Sequence, residues 1–281
     1  MSANELRIVR GPSALGSDPR RFVALTRTLT LTDFKLKFYG SALGYLWQLI
    51  RPLMLFGVLY VVFTHFVKFG AGVHFYPATL LLAIVLYSFV QEAISGSVES
   101  VVAREPLVRK IQFPRLVIPA TVVSTAFLNL LLNLVAVFVF ALASGVDPTW
   151  RWLELPLILA AATMLAGGIG MLVSSLYVRY RDVKPITEVL LQILFYATPI
   201  FYPVEKIGDD TLRHLVVMLN PFAAIVQQAR YAIIDPQHAP SAADAAGGIP
   251  NLIVPAAMIA GLFALGFYVF NKQAPRIAEE L

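Results

Sequence analysis

The groups in this chain that could do chemistry are few and scattered. There is no cysteine, which excludes disulfides, thiolate metal sites and a cysteine nucleophile. The four histidines, His65, His74, His214 and His238, show no metal-type spacing such as two on one helix face. They read as interfacial or loop histidines, so no metal and no catalytic group is expected. No Gly-x-x-x-x-Gly-Lys-Ser/Thr phosphate loop occurs. Any nucleotide chemistry must therefore come from another chain, and no cofactor is expected on this one. Three charged residues stand beside long apolar runs: Arg51, Glu92 and Glu99. They read either as snorkelling groups at a membrane interface or as parts of a mechanism.

Three polar or aromatic stretches are denser. The loop Glu105-Pro106-Leu107-Val108-Arg109-Lys110-Ile111-Gln112-Phe113-Pro114-Arg115 mixes apolar and basic residues between two prolines. Pro106 can open a short helix and Pro114 close it. Such a helix, parallel to a membrane, can dock into a groove on a soluble partner; the plainer reading is a basic loop meeting lipid phosphates. The loop Tyr177-Val178-Arg179-Tyr180-Arg181-Asp182-Val183 reads as a charged turn, in which Arg181 and Asp182 can pair with nearby helix ends. Tyr60, Phe63, Phe195, Tyr196, Phe201 and Tyr202 sit toward the ends of apolar runs. They fit an aromatic belt at lipid headgroups. They also fit a pathway of ring faces along which sugar C–H faces can pack while hydroxyls meet the phenols.

The elements that carry these groups are set by hydrophobicity. The 281 residues are 58% hydrophobic and only 14% charged, against about 45–50% apolar and about 25% charged in an ordinary soluble domain. The apolar residues form long uncharged blocks. A helix needs about 20 apolar residues to cross a bilayer core. Six spans are expected, near 48–67, 77–98, 117–143, 155–177, 186–204 and 250–271. The chain thus divides into a cytoplasmic segment 1–47, a six-helix membrane domain 48–271 and a tail 272–281. The architecture is all-α and integral to the membrane, and it points to passage across a bilayer rather than catalysis in water.

Orientation follows from Lys and Arg. The segment to Trp47 holds seven, the 99–116 loop four, the 178–185 loop three and the tail two; the opposite flanks hold Lys68, Arg151, Lys206, Arg213 and Arg230. Both termini are expected in the cytoplasm. The net charge of +5 reads as basic loops facing anionic lipid headgroups, not nucleic acid. Residues 1–21 lack the apolar core of a cleavable signal.

Four finer expectations follow. Phe22, Leu25, Leu29 and Leu36 fit one face of an amphipathic interfacial helix within 21–47; a strand alternation over 29–38 competes, but a lone strand would leave its edges unpaired. His214–Ala229 runs uncharged and is broken by Asn220-Pro221, which suggests a re-entrant or interfacial helical hairpin on the outer side. Residues 235–249 read as a plain loop. Ala162, Ala166 and Gly170 recur every four residues, as small residues do where helices approach closely; Asn129 and Asn133 are expected to bond across helices.

The run Asp33-Phe34-Lys35-Leu36-Lys37-Phe38-Tyr39-Gly40-Ser41-Ala42-Leu43-Gly44-Tyr45-Leu46-Trp47, continuing into Arg51-Pro52-Leu53, resembles the entry segment of type-2 ABC exporter permeases. Tyr180-Arg181-Asp182-Val183, then Thr198-Pro199-Ile200-Phe201-Tyr202-Pro203, and Asn220-Pro221 extend the resemblance over nearly the whole chain. The nearest branch exports lipid-linked polysaccharides: O-antigens, capsules, teichoic acids and related envelope glycans. The resemblance implies a homodimeric channel in the bacterial cytoplasmic membrane, with two copies of a separate ATP-binding subunit that bind ATP and magnesium. It implies a coupling helix over Glu105–Phe113, with Glu105, Pro106, Leu107, Val108, Arg109, Lys110, Ile111 and Phe113 at the ATPase contact. It implies a substrate path lined by the first and fifth spans, which brings in Tyr60, Phe63, Phe195, Tyr196, Phe201 and Tyr202. Lipid-linked glycan would enter near Tyr39, Trp47 and Arg51, and short outer helices at about 208–232 would cap the exit. A drug or small-molecule exporter shares this architecture, because fold does not fix substrate. An ion-driven secondary carrier would want intramembrane acids and broken, repeated helices. A membrane enzyme acting on lipid-linked sugars would want convergent acids or a metal. Neither pattern is present in the sequence.

Overall fold

A computed structural model describes residues 14–16, 18–37, 39–40, 44–68, 70, 72–110, 113–275 and 277. Among them every regular element is helical. The elements in order are α1 (Pro19–Leu36), α2 (Leu46–Val61), α3 (Tyr76–Val98), α4 (Ser100–Ala103), α5 (Glu105–Lys110), α6 (Val117–Ala143), α7 (Leu155–Arg179), α8 (Val183–Ala197), α9 (Asp210–Leu219), α10 (Pro221–Ala229), α11 (Ala242–Ala245) and α12 (Ile253–Gln273). Helix α2 continues as a π-helical turn, Val62–Phe66.

Five helical stretches are long and apolar enough to cross a membrane: Leu46–Phe66, Tyr76–Val98, Val117–Ala143, Trp150–Arg179 and Ile249–Gln273. They fall on five of the six expected spans. The remaining one, expected near 186–204, is the 15-residue helix α8. It ends at Ala197 because Pro199 forces Thr198 into an extended conformation, φ −92°, ψ 139°. At 1.5 Å per residue, α8 alone measures about 22 Å, short of a bilayer core of about 30 Å.

Burial ranks these helices. In its most apolar stretch α3 is 72% buried, while α2 and the Ile249–Gln273 helix are 11% buried. Helix α3 is therefore the hub, apolar over most of its length as a surrounded helix is, with α6 and α7 as its main neighbours. Helix α12 lies against α7, and small residues set that contact. A Cβ on Gly168 would lie 2.6 Å from the Phe263 Cα, and one on Gly266 would strike the Gly168 carbonyl. With no side chain at either position, the two backbones touch. Ala162, Ala166 and Gly170 are on α7's packed face as expected, with Gly170 against Ser97 of α3.

Residues 21–36 are helical rather than extended. Asp18 caps α1 by accepting from the Arg20 N–H at 2.9 Å, and Pro19 occupies the first turn. Phe22, Leu25 and Leu29 pack on a second apolar cluster at one end of the bundle, with Val101, Val117, Met171 and Phe270.

The segment expected to form a helical hairpin is α9 and α10. Asn220 ends the first and caps the second, accepting from the Phe222 and Ala223 N–H groups at 3.1 and 3.2 Å. Nearly every residue of α10 is buried. Residues 235–249 are more ordered than a plain loop: Ser241 and Asp244 form a reciprocal capping box that starts α11. Asn133 also departs from expectation. It donates to the Asn129 carbonyl of its own helix at 2.9 Å, while Asn129 bonds across to α3. One turn closer to the ladder, its amide is satisfied locally before it can reach a neighbour.

Candidate functional site

The charged end of α1 meets three other helices around one carboxylate. Glu92 of α3 accepts from Lys37 Nζ at 2.5 Å, from Asn129 Nδ2 of α6 at 2.6 Å and from Gln48 Nε2 of α2 at 3.3 Å. Lys37 also donates to Gln48 at 3.2 Å. A carboxylate in a membrane helix is costly unless its lone pairs are filled. Here three donors from three elements fill them. A second link, the Arg104–Asp33 ion pair, ties α1 to the α4–α5 junction.

These helices enclose a cavity of about 870 Å³ lined by Asp33, Lys37, Gln48, Arg51, Gln91, Glu92, Ser95, Thr125 and Asn133, among others. Arg51 is exposed into it and, among the described residues, has no ion-pair partner. A guanidinium with free N–H groups in a partly polar cavity suits a phosphate, which it can grip with two parallel hydrogen bonds. Of the three expected entry residues, only Arg51 lines this cavity. Tyr39 is 86% exposed and Trp47 is 38% exposed, both outside its lining. The Glu92 network was partly legible: Asn129 in an uncharged span signals a polar contact. Lys37 and Gln48 gave no signal, because their meeting point is made by tertiary folding.

The aromatic residues converge at the other end of the bundle. The π-helical turn after α2 sets Phe63 in a stack on Phe201, with centroids 4.6 Å apart. Phe201 touches Phe195 at 6.0 Å, Tyr196 at 6.2 Å and Tyr202 at 5.2 Å. The Tyr76 hydroxyl donates to the Phe201 carbonyl at 2.7 Å and fixes the loop. Five of the six expected pathway residues thus form one contiguous group. Tyr60 stacks instead on Phe56 at 5.7 Å, which packs on Phe140 of α6. Tyr196 is the ring most open to the surroundings, at 60% exposed.

The expected coupling loop is helical over α5, and two of its apolar residues point inward. Val108 and Phe113 are buried among Val101, Leu116 and Val178, and Ala14 joins them. The Ala14 carbonyl accepts from the Leu116 N–H at 3.0 Å. Next to it Gly16 has φ +72°, and a Cβ there would lie 2.8 Å from Pro114. The chain before α1 thus underpins the loop. Pro106 is exposed and Glu105 half-buried. Ile111 lies outside the described residues. The inner turn between α7 and α8 is tied back to α3: Glu99 meets Lys184 at 3.0 Å and accepts from the Tyr177 hydroxyl at 3.0 Å. Of the two residues expected to pair with helix ends, Arg181 stacks over the Tyr177 ring at 4.9 Å, and Asp182 sits at the N-cap of α8 without a side-chain capping bond.

Five membrane-length helices define a multi-pass membrane protein. The sequence matches the ABC-2 type transporter family over residues 24–234, and the chain belongs to that family. It is 27% identical over 206 residues to the O-antigen export system permease protein RfbA of Myxococcus xanthus, covering 73% of this chain and 78% of that protein. Two proteins of the same description from Klebsiella pneumoniae are 24% and 25% identical over 256 and 257 residues, each covering 90% of this chain and 93% of the relative.

Proposed function

We propose that this chain is the transmembrane subunit of an ATP-driven exporter that moves a lipid-linked polysaccharide of the O-antigen class across the bacterial cytoplasmic membrane. The observation that carries the reading is the Arg51 cavity at the inner end, between the amphipathic α1 and the first span. It supports entry of a phosphate-bearing lipid carrier, and the relatives' descriptions supply the glycan. Two copies of the chain form the channel, and two copies of a separate ATP-binding subunit dock beneath it. Both termini face the cytoplasm, because the basic residues gather at that end. Helix α8 with the loop to Val204 completes a sixth, shortened crossing, and α9 and α10 form the outer hairpin that caps the exit.

In this reading α5 transmits force. Val108 and Phe113 hold it to the bundle, while Glu105, Pro106, Leu107, Arg109, Lys110 and Ile111 supply the ATPase contact. ATP binding by the partner moves α5, and the Arg104–Asp33 pair passes the motion to α1. The carrier's phosphates meet Arg51 beside Tyr39 and Trp47. The sugar chain then slides along Phe63, Phe195, Tyr196, Phe201 and Tyr202, with Tyr60 below them, packing its C–H faces on the rings.

The test is reconstitution with the cognate ATPase in vesicles, comparing the wild type with a charge-reversed 105–110 segment and with Arg51→Glu. The altered segment should lose copurification or coupled ATP hydrolysis. Arg51→Glu should keep the ATPase bound and lower glycan export by about ten-fold or more, the effect of about 1.4 kcal/mol in a phosphate contact. Unchanged hydrolysis after the segment is reversed would overturn the docking reading, and full export by Arg51→Glu would overturn the entry site.

A further inference from the structure

Two histidines far apart in sequence meet one buried aspartate at the end of the molecule opposite α5. Asp235 closes the π-helical turn Arg230–Ile234 that follows α10, and it is only 3% exposed. Its Oδ1 lies 2.8 Å from His238 Nδ1 and accepts from the His238 N–H at 3.2 Å. Its Oδ2 lies 3.7 Å from His74 Nδ1 and has no hydrogen-bond partner among the described residues. A buried carboxylate oxygen left this way is costly unless a charge completes it. His74 comes from the connection before α3, where Phe75 at φ +51° turns the chain into the helix. The two imidazoles face each other with centroids 4.8 Å apart. One ligand atom from each of the three residues lies within 4.8 Å of the other two.

We propose that His74, Asp235 and His238 bind a divalent transition-metal ion of the zinc class. Two imidazole nitrogens and one carboxylate oxygen suit such an ion and do not suit calcium or magnesium, which take oxygen ligands. Zinc–ligand bonds of about 2.0–2.1 Å in a tetrahedron set donors about 3.3 Å apart. His238 lies 2.8 Å from Oδ1 and His74 lies 3.7 Å from Oδ2, so small side-chain rotations must bring both imidazoles to this spacing around one oxygen. The imidazoles are 53% and 59% exposed, so both can turn inward to close the wider gap. Three protein ligands leave a fourth position for water. A bound ion joins the connection before α3 to the end of α10 and so pins the outer hairpin to the hub helix.

The experiment uses the full chain in lipid nanodiscs, stripped with chelator and titrated with zinc chloride against a chromophoric competitor. Melting temperature is recorded with and without zinc. The wild type should bind one ion per chain and melt higher with zinc. His74→Ala and His238→Ala should each weaken binding by about ten-fold or more and abolish the zinc-dependent rise. Without zinc, His74→Ala should melt as the wild type, while His238→Ala should melt somewhat lower because it removes the 2.8 Å contact to buried Asp235. His65→Ala and His214→Ala should behave as wild type. No zinc binding by the wild type, or undiminished binding by the His74 and His238 variants, would overturn the site. This readout involves neither ATP nor glycan, so its failure leaves the export reading standing.

Discussion

At the scale of single residues the end of the bundle that carries α5 is organised by carboxylates that collect donors from other helices. Glu92 holds α1, α2 and α6 to α3; Glu99 does the same for the turn between α7 and α8. The Lys184 ammonium and the Tyr177 hydroxyl hold the Glu99 carboxyl below its ordinary 4.5, and Glu99 in turn raises Lys184 above its ordinary 10.5. The signs define a window. A depressed carboxyl contributes stability that is complete above its unfolded value and is lost as pH falls through the folded one. A raised ammonium contributes stability that is complete below its unfolded value and is lost as pH rises through the folded one. The pair should therefore act at constant strength from about pH 5 to about pH 10. Melting curves of the wild type and Glu99→Gln across that range should differ by a small, constant amount, since both side chains are solvent-screened. The difference should shrink below about pH 4. A difference that changes between pH 6 and 8 would assign the inner turn to another titrating group.

At the scale of elements, capping decides where helices stop. Asn220 is the pivot of the outer hairpin. Its side-chain oxygen caps α10 and its amide donates to Thr198 Oγ1 at 2.9 Å, tying the hairpin to the end of α8. Asn220→Ala should destabilise the protein by about 1–2 kcal/mol, read as a lower melting temperature. Asn220→Asp keeps the cap oxygen and should recover most of that loss; if both variants melt alike, the Thr198 contact rather than the cap carries the hairpin. These elements show what a sequence discloses. The spans over 77–98 and 117–143 were legible to within a residue, because the need to exclude charge from lipid acts on every residue locally. The end of α8 was also written in the chain, at Thr198-Pro199, but apolarity runs on through Ile200 and Phe201 and hides the stop. Lys37 and Gln48, two of the donors around Glu92, were not legible, since they come from separate elements whose meeting depends on how α1 lies across the bundle. The same holds for His74 and His238, which no spacing rule connects.

At the scale of the whole molecule, burial separates helices that are finished from helices that are not. Helix α3 is enclosed within one chain, whereas α8 leaves Ile186, Val189, Leu190, Ile193 and Tyr196 between 55% and 60% exposed. That stripe recurs at the three- and four-residue spacing of one helix face. Lipid can cover such a face, and so can a second copy. The second copy is favoured by Tyr196, which continues the stripe into the aromatic group at the outer end, where a polar cargo and not lipid is expected. The chain contains no cysteine, so a single introduced thiol reports on this without background. Under mild oxidation in membranes, Ile193→Cys should give a covalent dimer in high yield. Leu157→Cys, 74% exposed on α7, should give little. A disulfide needs Cα atoms within about 7 Å of each other, so crosslinking at Ile193 places α8 at the two-fold axis, with the aromatic rings of both copies facing one passage. Strong crosslinking at Leu157 and none at Ile193 would move the axis to α7 and leave the α8 stripe to lipid, and the rings at its outer end would then form a headgroup belt rather than a path.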